Sequence, residues 1–152
     1  SRELVRKMSR VFDHILVPYN DTPGSQRAFR KSIQIAKLSG AKITVLTCIE
    51  DCHMFGFFKT KASKMAFERE RKLVLGKHAS MKNFAEKHGV SMNSKIVKNG
   101  MAGEKILEFA DKHEVDLIVM GKKKSPSHYE RAHHHSTIEA VFRNAHCATL
   151  IM

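Results

Sequence analysis

Between Asp116 and Thr137 the chain runs Asp-Leu-Ile-Val-Met-Gly, then Lys122-Lys123-Lys124, a polar loop, His133-His134-His135 and Ser136-Thr137. An apolar strand that stops at Gly121 and hands over, through a basic loop, to a Ser/Thr-capped helix start is a place to hold an anion. The glycine allows a ligand close to the backbone, the helix start offers unpaired N–H donors, and the lysines bring positive charge. These residues point to phosphate recognition.

Other residue types offer weaker chemistry. Consecutive histidines such as 133–135 seldom aim at one ion, and their spacing fits none of the usual zinc patterns, so no metal is expected. Cys48, Cys52 and Cys147 make an odd count without CxxC spacing, which suits a reducing compartment. Cys48 and Cys147, set in apolar runs, read as core residues. There is no Gly-x-Ser-x-Gly elbow and no P-loop. Asp21 is the sole acid on the loop after the first apolar run, and no general base can be named, so a binding protein is expected rather than an enzyme.

The elements that must position this chemistry follow from apolar patterning and turn residues. Strands are expected at His14–Tyr19, Ala41–Ile49, Ser94–Val97, Leu117–Met120 and Cys147–Met152. The first strand runs into the turn cluster Asn20-Asp-Thr-Pro-Gly24. Helices are expected up to Ser39-Gly40, with Ala28, Phe29, Ile33, Ile35, Ala36 and Leu38 at helical spacing, and at Ser63–Lys87, Glu104–His113 and Ser136–Asn144. The long second helix offers Met65, Leu73, Leu75, Ala79, Met81, Phe84 and Ala85 as apolar contacts, and Gly100-Met-Ala-Gly103 reads as a turn. Strands apolar along their whole length, alternating with helices, predict an α/β fold: a five-stranded parallel sheet, open and twisted, with helices on both faces. In such sheets ligands collect beyond the carboxyl ends of the strands where strand order reverses, so the loops after Tyr19 and Met120 are expected to frame one crevice.

At 152 residues, 42% of them hydrophobic, the chain fits one domain with a real core. Residues 12–152 are expected to form it, with 1–11 a loosely held arm or added segment. No run of about 20 apolar residues is present, and the start lacks a signal-peptide core, so a cytoplasmic protein without membrane attachment is expected. The net charge of +12 favours acidic partners. Part of it falls on Lys59, Lys61, Lys64, Arg69, Arg71, Lys72 and Lys77, interleaved with Glu68 and Glu70 and lacking regularly spaced aromatics, so a solvated helix face is expected before a nucleic-acid surface.

Three segments together resemble the universal stress protein family: His14-Ile-Leu-Val-Pro-Tyr-Asn with Arg27-Ala28; Val97-Lys-Asn-Gly100 with Val115-Asp-Leu-Ile-Val-Met-Gly121; and Ser136 through Arg143-Asn-Ala-His-Cys147 to Leu150-Ile-Met152. The resemblance implies a Rossmann-like fold of the adenine nucleotide alpha hydrolase kind, a homodimer joined through the last strand, and a role in stress response or signalling. In one branch it implies adenine nucleotide binding, ATP or AMP, with no metal required. That branch carries Gly, two residues, Gly, nine residues, then Gly-Ser or Gly-Thr. Here Gly121 is kept, Lys124 stands at the second glycine, His135 at the third and Ser136 at the hydroxyl, with one extra residue in the loop. The family's first-loop aspartate is Asn20. By resemblance, Pro18 and Asn20 border base and ribose, and Ile43 offers backbone polar groups to the adenine edge. Met120, Gly121, Lys122, Lys124, His135, Ser136 and Thr137 would line the phosphate end, where positive side chains would take over from the lost glycines. The alternative is a dimeric regulatory protein with an empty crevice, whose basic surface engages a protein or nucleic-acid partner.

Overall fold

The computed structural model describes residues 1–8, 10–49, 61–98, 101–122 and 137–152. In chain order the elements are α1 (Arg2–Met8), β1 (His14–Pro18), α2 (Pro23–Ser39), β2 (Lys42–Ile49), α3 (Lys61–Lys87), β3 (Met92–Lys98), α4 (Ala102–Lys112), β4 (Leu117–Met120), α5 (137–144) and β5 (Ala148–Ile151). The five strands form one sheet, all pairs parallel, in the order β3-β2-β1-β4-β5. The chain therefore winds outward from β1 through β2 to β3, then returns to the far side of β1 for β4 and β5. The reversal falls between β1 and β4, where such sheets open a crevice.

Alternate strand residues face opposite sides and each side carries helices. Ile15, Val17, Ile43, Val45, Leu117 and Val119 pack with α2 and α3 through Phe29, Ile33, Met81 and Ala85. Leu16, Leu46, Ile118 and Met120 pack with α4 and α5 through Ile106, Ala110 and Val141. Every one of these side chains is buried. Burial of each such aliphatic group contributes about 1.5–3 kcal/mol, which makes the three central strands the stable frame.

Local chemistry sets the ends. Pro23 opens α2 behind the N-cap Thr22, and Gly40 ends it with φ at 74°, a left-handed conformation that glycine adopts without strain. At the lower end of the sheet the Asp116 carboxylate accepts the backbone N–H groups of Asp13 and His14, both at 2.9 Å. Asp116 thus ties β1 to β4 and lies away from the crevice.

Several expectations need correction. β3 is not apolar throughout: it is an edge strand, and Asn93, Ser94 and Lys95 are exposed. α4 begins at Ala102, so Gly103 is helical rather than part of a turn. Leu38 is exposed, as are Met65, Leu73, Leu75 and Phe84 of α3, whose buried face is His78, Met81 and Ala85. Cys48 and Cys147 are half-buried rather than core. Within the expected arm, residues 2–8 form the short helix α1, whose Leu4 and Val5 are exposed.

Candidate functional site

The loop from β1 to α2 is braced within itself. The Asn20 carbonyl oxygen accepts the Thr22 hydroxyl at 2.7 Å and the Thr22 N–H at 3.4 Å, and the Thr22 hydroxyl oxygen accepts the Ser25 N–H at 3.2 Å, capping α2. Asn20 has thereby committed its acceptor end, and its amide N–H groups are what it can offer a ligand. Asp21 takes φ of 60°, a conformation that Asp tolerates better than most residues. Its carboxylate accepts the Tyr19 hydroxyl at 2.8 Å and pairs with Lys77 at 3.4 Å. The Tyr19 bond, with smaller help from Gln26 and Lys77, holds the Asp21 pKa below the ordinary carboxylate value. Burial and the same bond push the Tyr19 phenol well above its ordinary value.

The loop after β4 meets this one through bare backbone. A Cβ added to Gly121 would fall on the Gly24 carbonyl, and a Cβ on Gly24 would stand 3.0 Å from the Lys122 carbonyl oxygen. Only a glycine pair permits that approach. The Arg27 guanidinium donates to the Lys122 carbonyl at 2.9 Å, and the Lys122 N–H donates to the Met152 carbonyl at 2.6 Å. Gly121 is thus explained by packing of β4 against α2. A Gly121→Val variant would therefore disturb the fold before it tested any ligand.

Above the two loops lies a crevice of about 170 Å³. Pro18, Asn20, Met120, Gly121 and Thr137 line it together. α4 opens onto it through Ala102 and Ile106, behind the N-cap Met101, which makes no side-chain cap bond. Lys122 is exposed beside it. Lys124, His135 and Ser136 lie outside the described residues.

Ile43 does not belong to this group. It pairs with Ile15 near the start of β2, is fully buried, and donates its backbone N–H to the Ser91 carbonyl. The β2 residues at the crevice are Leu46, which pairs with Pro18, and Cys48 just beyond. The signal was in the register: a residue level with the first strand's end must come from the last residues of the second. Burial pushes the Cys48 thiol up to about 11, so it stays protonated and acts as a small, weakly polar wall. Among the described residues no group of His, Cys, Asp or Glu could hold a metal, and His133–His135 lie outside them. Nor is any helix of the described residues long and apolar enough to cross a membrane.

The family model described as "Universal stress protein family" matches residues 12–152. A universal stress protein, MJ0531 of Methanocaldococcus jannaschii, is 26% identical over 149 residues, covering 98% of this chain and 86% of its own. Among solved structures, UspA from Lactobacillus plantarum superposes with a TM-score of 0.74 at 23% identity, covering 93% of this chain and 97% of that one. A universal stress family protein from Arabidopsis thaliana, solved with AMP bound, superposes with a TM-score of 0.66 at 14% identity, covering 92% and 90%.

Proposed function

Because the chain belongs to the universal stress protein family, we propose that its crevice binds an adenine nucleotide, AMP or ATP, and that it serves stress response or signalling by binding rather than catalysis. The observation that carries this reading is the convergence of Pro18, Asn20, Met120, Gly121 and Thr137 on one hollow at the strand-order reversal. The AMP found in the Arabidopsis relative supports the same ligand class.

In this reading the adenine lies against Pro18, Leu46 and Cys48, in place of Ile43, with the end of β2 offering backbone groups to its edge. The Asn20 amide donates to the ribose. The phosphate faces Gly121 and Thr137, where Lys122, Lys124, His135 and Ser136 supply charge and a hydroxyl in place of the family's backbone cradle. Binding rather than hydrolysis suits the nearby acid: Asp21 is already engaged by Tyr19 and Lys77. No metal is needed. The apolar edge strand β5, with Leu150 partly exposed, is the surface through which two copies pair.

Calorimetry with ATP, ADP and AMP at millimolar ligand tests the reading. Saturable heat is expected from at least one of them, and Ala102→Phe, which fills the hollow without touching the Gly24–Gly121 contact, is expected to abolish it. Absence of heat with all three would overturn the proposal.

A further inference from the structure

The β1–α2 loop fixes which end of Asn20 a ligand meets. The Thr22 N–H can only donate, and the Thr22 hydroxyl, which accepts the Ser25 N–H, has its own proton left to give. Both go to one atom of the Asn20 amide, at 3.4 and 2.7 Å, so that atom is the carbonyl oxygen. The cap of α2 thereby orients the amide and leaves its two N–H groups as the donors of an exposed side chain at the rim of the crevice.

Nothing acidic opposes those donors within the crevice: among the described residues that line it there is no carboxylate. α4 presents its first turn there through Ala102, behind an N-cap whose side chain caps nothing, so uncapped N–H groups and the positive end of the helix dipole face the same space. Lys122 is exposed beside it. Asn20 also borders a neighbouring hollow of about 230 Å³, where the acids of this region stand, Asp21 and Glu70. The Asp21 carboxylate is occupied there by the Tyr19 hydroxyl and paired with Lys77, and Glu70 is an exposed residue of α3 that lines only that hollow.

A ribose edge with two free hydroxyls brings two donors as well as acceptors, whereas Asn20 meets it with donors alone. A phosphate ester on one of those oxygens brings acceptors only, with negative charge, and turns a neutral hydrogen bond into a charge-assisted one. We infer that Asn20 is a specificity-determining residue, which selects an adenine nucleotide carrying a second phosphate on the 2′ or 3′ oxygen of its ribose. The inference rests on the nucleotide reading of the crevice and names the ligand class within it.

Calorimetry on the full-length protein at physiological salt compares AMP with adenosine 3′,5′-bisphosphate and adenosine 2′,5′-bisphosphate, the two arms telling which oxygen is read. One bisphosphate is expected to bind at least about tenfold more tightly than AMP, the difference between a charge-assisted and a neutral hydrogen bond, and to shift the Asn20 side-chain N–H signals of ¹⁵N-labelled protein. In Asn20→Ala, where Thr22 still caps α2, the bisphosphate and AMP should bind alike. In Asn20→Asp, whose carboxylate still accepts from Thr22 but repels an anion, the bisphosphate should bind more weakly than AMP. AMP binding with no gain from either second phosphate would overturn the inference and leave the nucleotide reading standing. So would a gain that persists in Asn20→Ala, because net charge alone would then explain it. Silence toward AMP and both bisphosphates would also overturn it, and ATP and ADP titrated alongside would then show whether the nucleotide reading falls with it.

Discussion

Gly121→Ala is the substitution whose outcome the structure fixes most narrowly. The added Cβ would land on the Gly24 carbonyl, with the Gly24 Cα only 2.8 Å away, and both obstacles are backbone. No rotamer change relieves that, so β4's end and the start of α2 must part by roughly an ångström or more to restore ordinary contact. Parting strains or breaks two bonds anchored on Lys122, the one from Arg27 and the one to Met152, each worth about 1 kcal/mol. Overpacking adds about 1–3 kcal/mol. The sum is a loss of about 3–5 kcal/mol, or some 6–20 °C in Tm for a domain of this size. Urea unfolding followed by circular dichroism measures it, with Gly40→Ala as the control. At Gly40 the nearest atom to a new Cβ is 3.6 Å away, so only the positive φ is penalised, by about 1 kcal/mol. A Gly121→Ala protein within 1 kcal/mol of the parent would refute the close backbone contact. If that protein were stable yet had lost nucleotide affinity, the glycine would serve the ligand and not the fold.

Three further outcomes are expected. Burial lowers the pKa of both His14 and His78 from 6.5. The unfolded chain therefore takes up protons first, and stability, complete above about pH 6.5, falls on acidification until each folded-state pKa is passed, by at most about 1.4 kcal/mol per pH unit per histidine. Thermal melts from pH 7.5 to 5 should show that decline, with His78→Gln reducing it; a flat profile contradicts the assignment. The Cys48 thiol, pushed up to about 11, should react with iodoacetamide at pH 8 far more slowly in the folded than in the unfolded protein. Comparable rates would show it open and ionisable. Sedimentation should give twice the chain's 17.3 kDa, and Leu150→Arg on the β5 edge should restore the single mass. A parent protein that sediments as a monomer would exclude pairing through β5.

The sheet was legible because its central strands are continuous apolar runs and its helices begin and end at recognisable punctuation: Thr22-Pro23, Gly40 and Gly89. The frame of the crevice followed from the same reading, since Asn20 and Gly121 each stand just past a strand. What escaped depends on pairings that local patterning does not encode. Ile43 and Cys48 are both apolar β2 residues, and only the register of Pro18 with Leu46 separates the one at the crevice from the one at the far end. Gly121 carries a packing role that needs Gly24, a residue far away in the chain. On α3, Leu73 stands on the same i, i+4 row as Met81 and Ala85, yet the helix buries residues only from its second half, at His78, Met81 and Ala85. A histidine in that buried set, His78, is invisible to apolar patterning.

The central claim is that the hollow between the loops after β1 and β4 receives an adenine nucleotide. An AMP titration followed by ¹H–¹⁵N correlation spectra of the labelled full-length protein tests it most directly. Saturable shifts are predicted for Asn20, Cys48, Ala102, Gly121 and Thr137, with Ile43 unmoved. Spectra unchanged by AMP and, in parallel titrations, by ADP and ATP, or shifts gathered on any other surface, would contradict it.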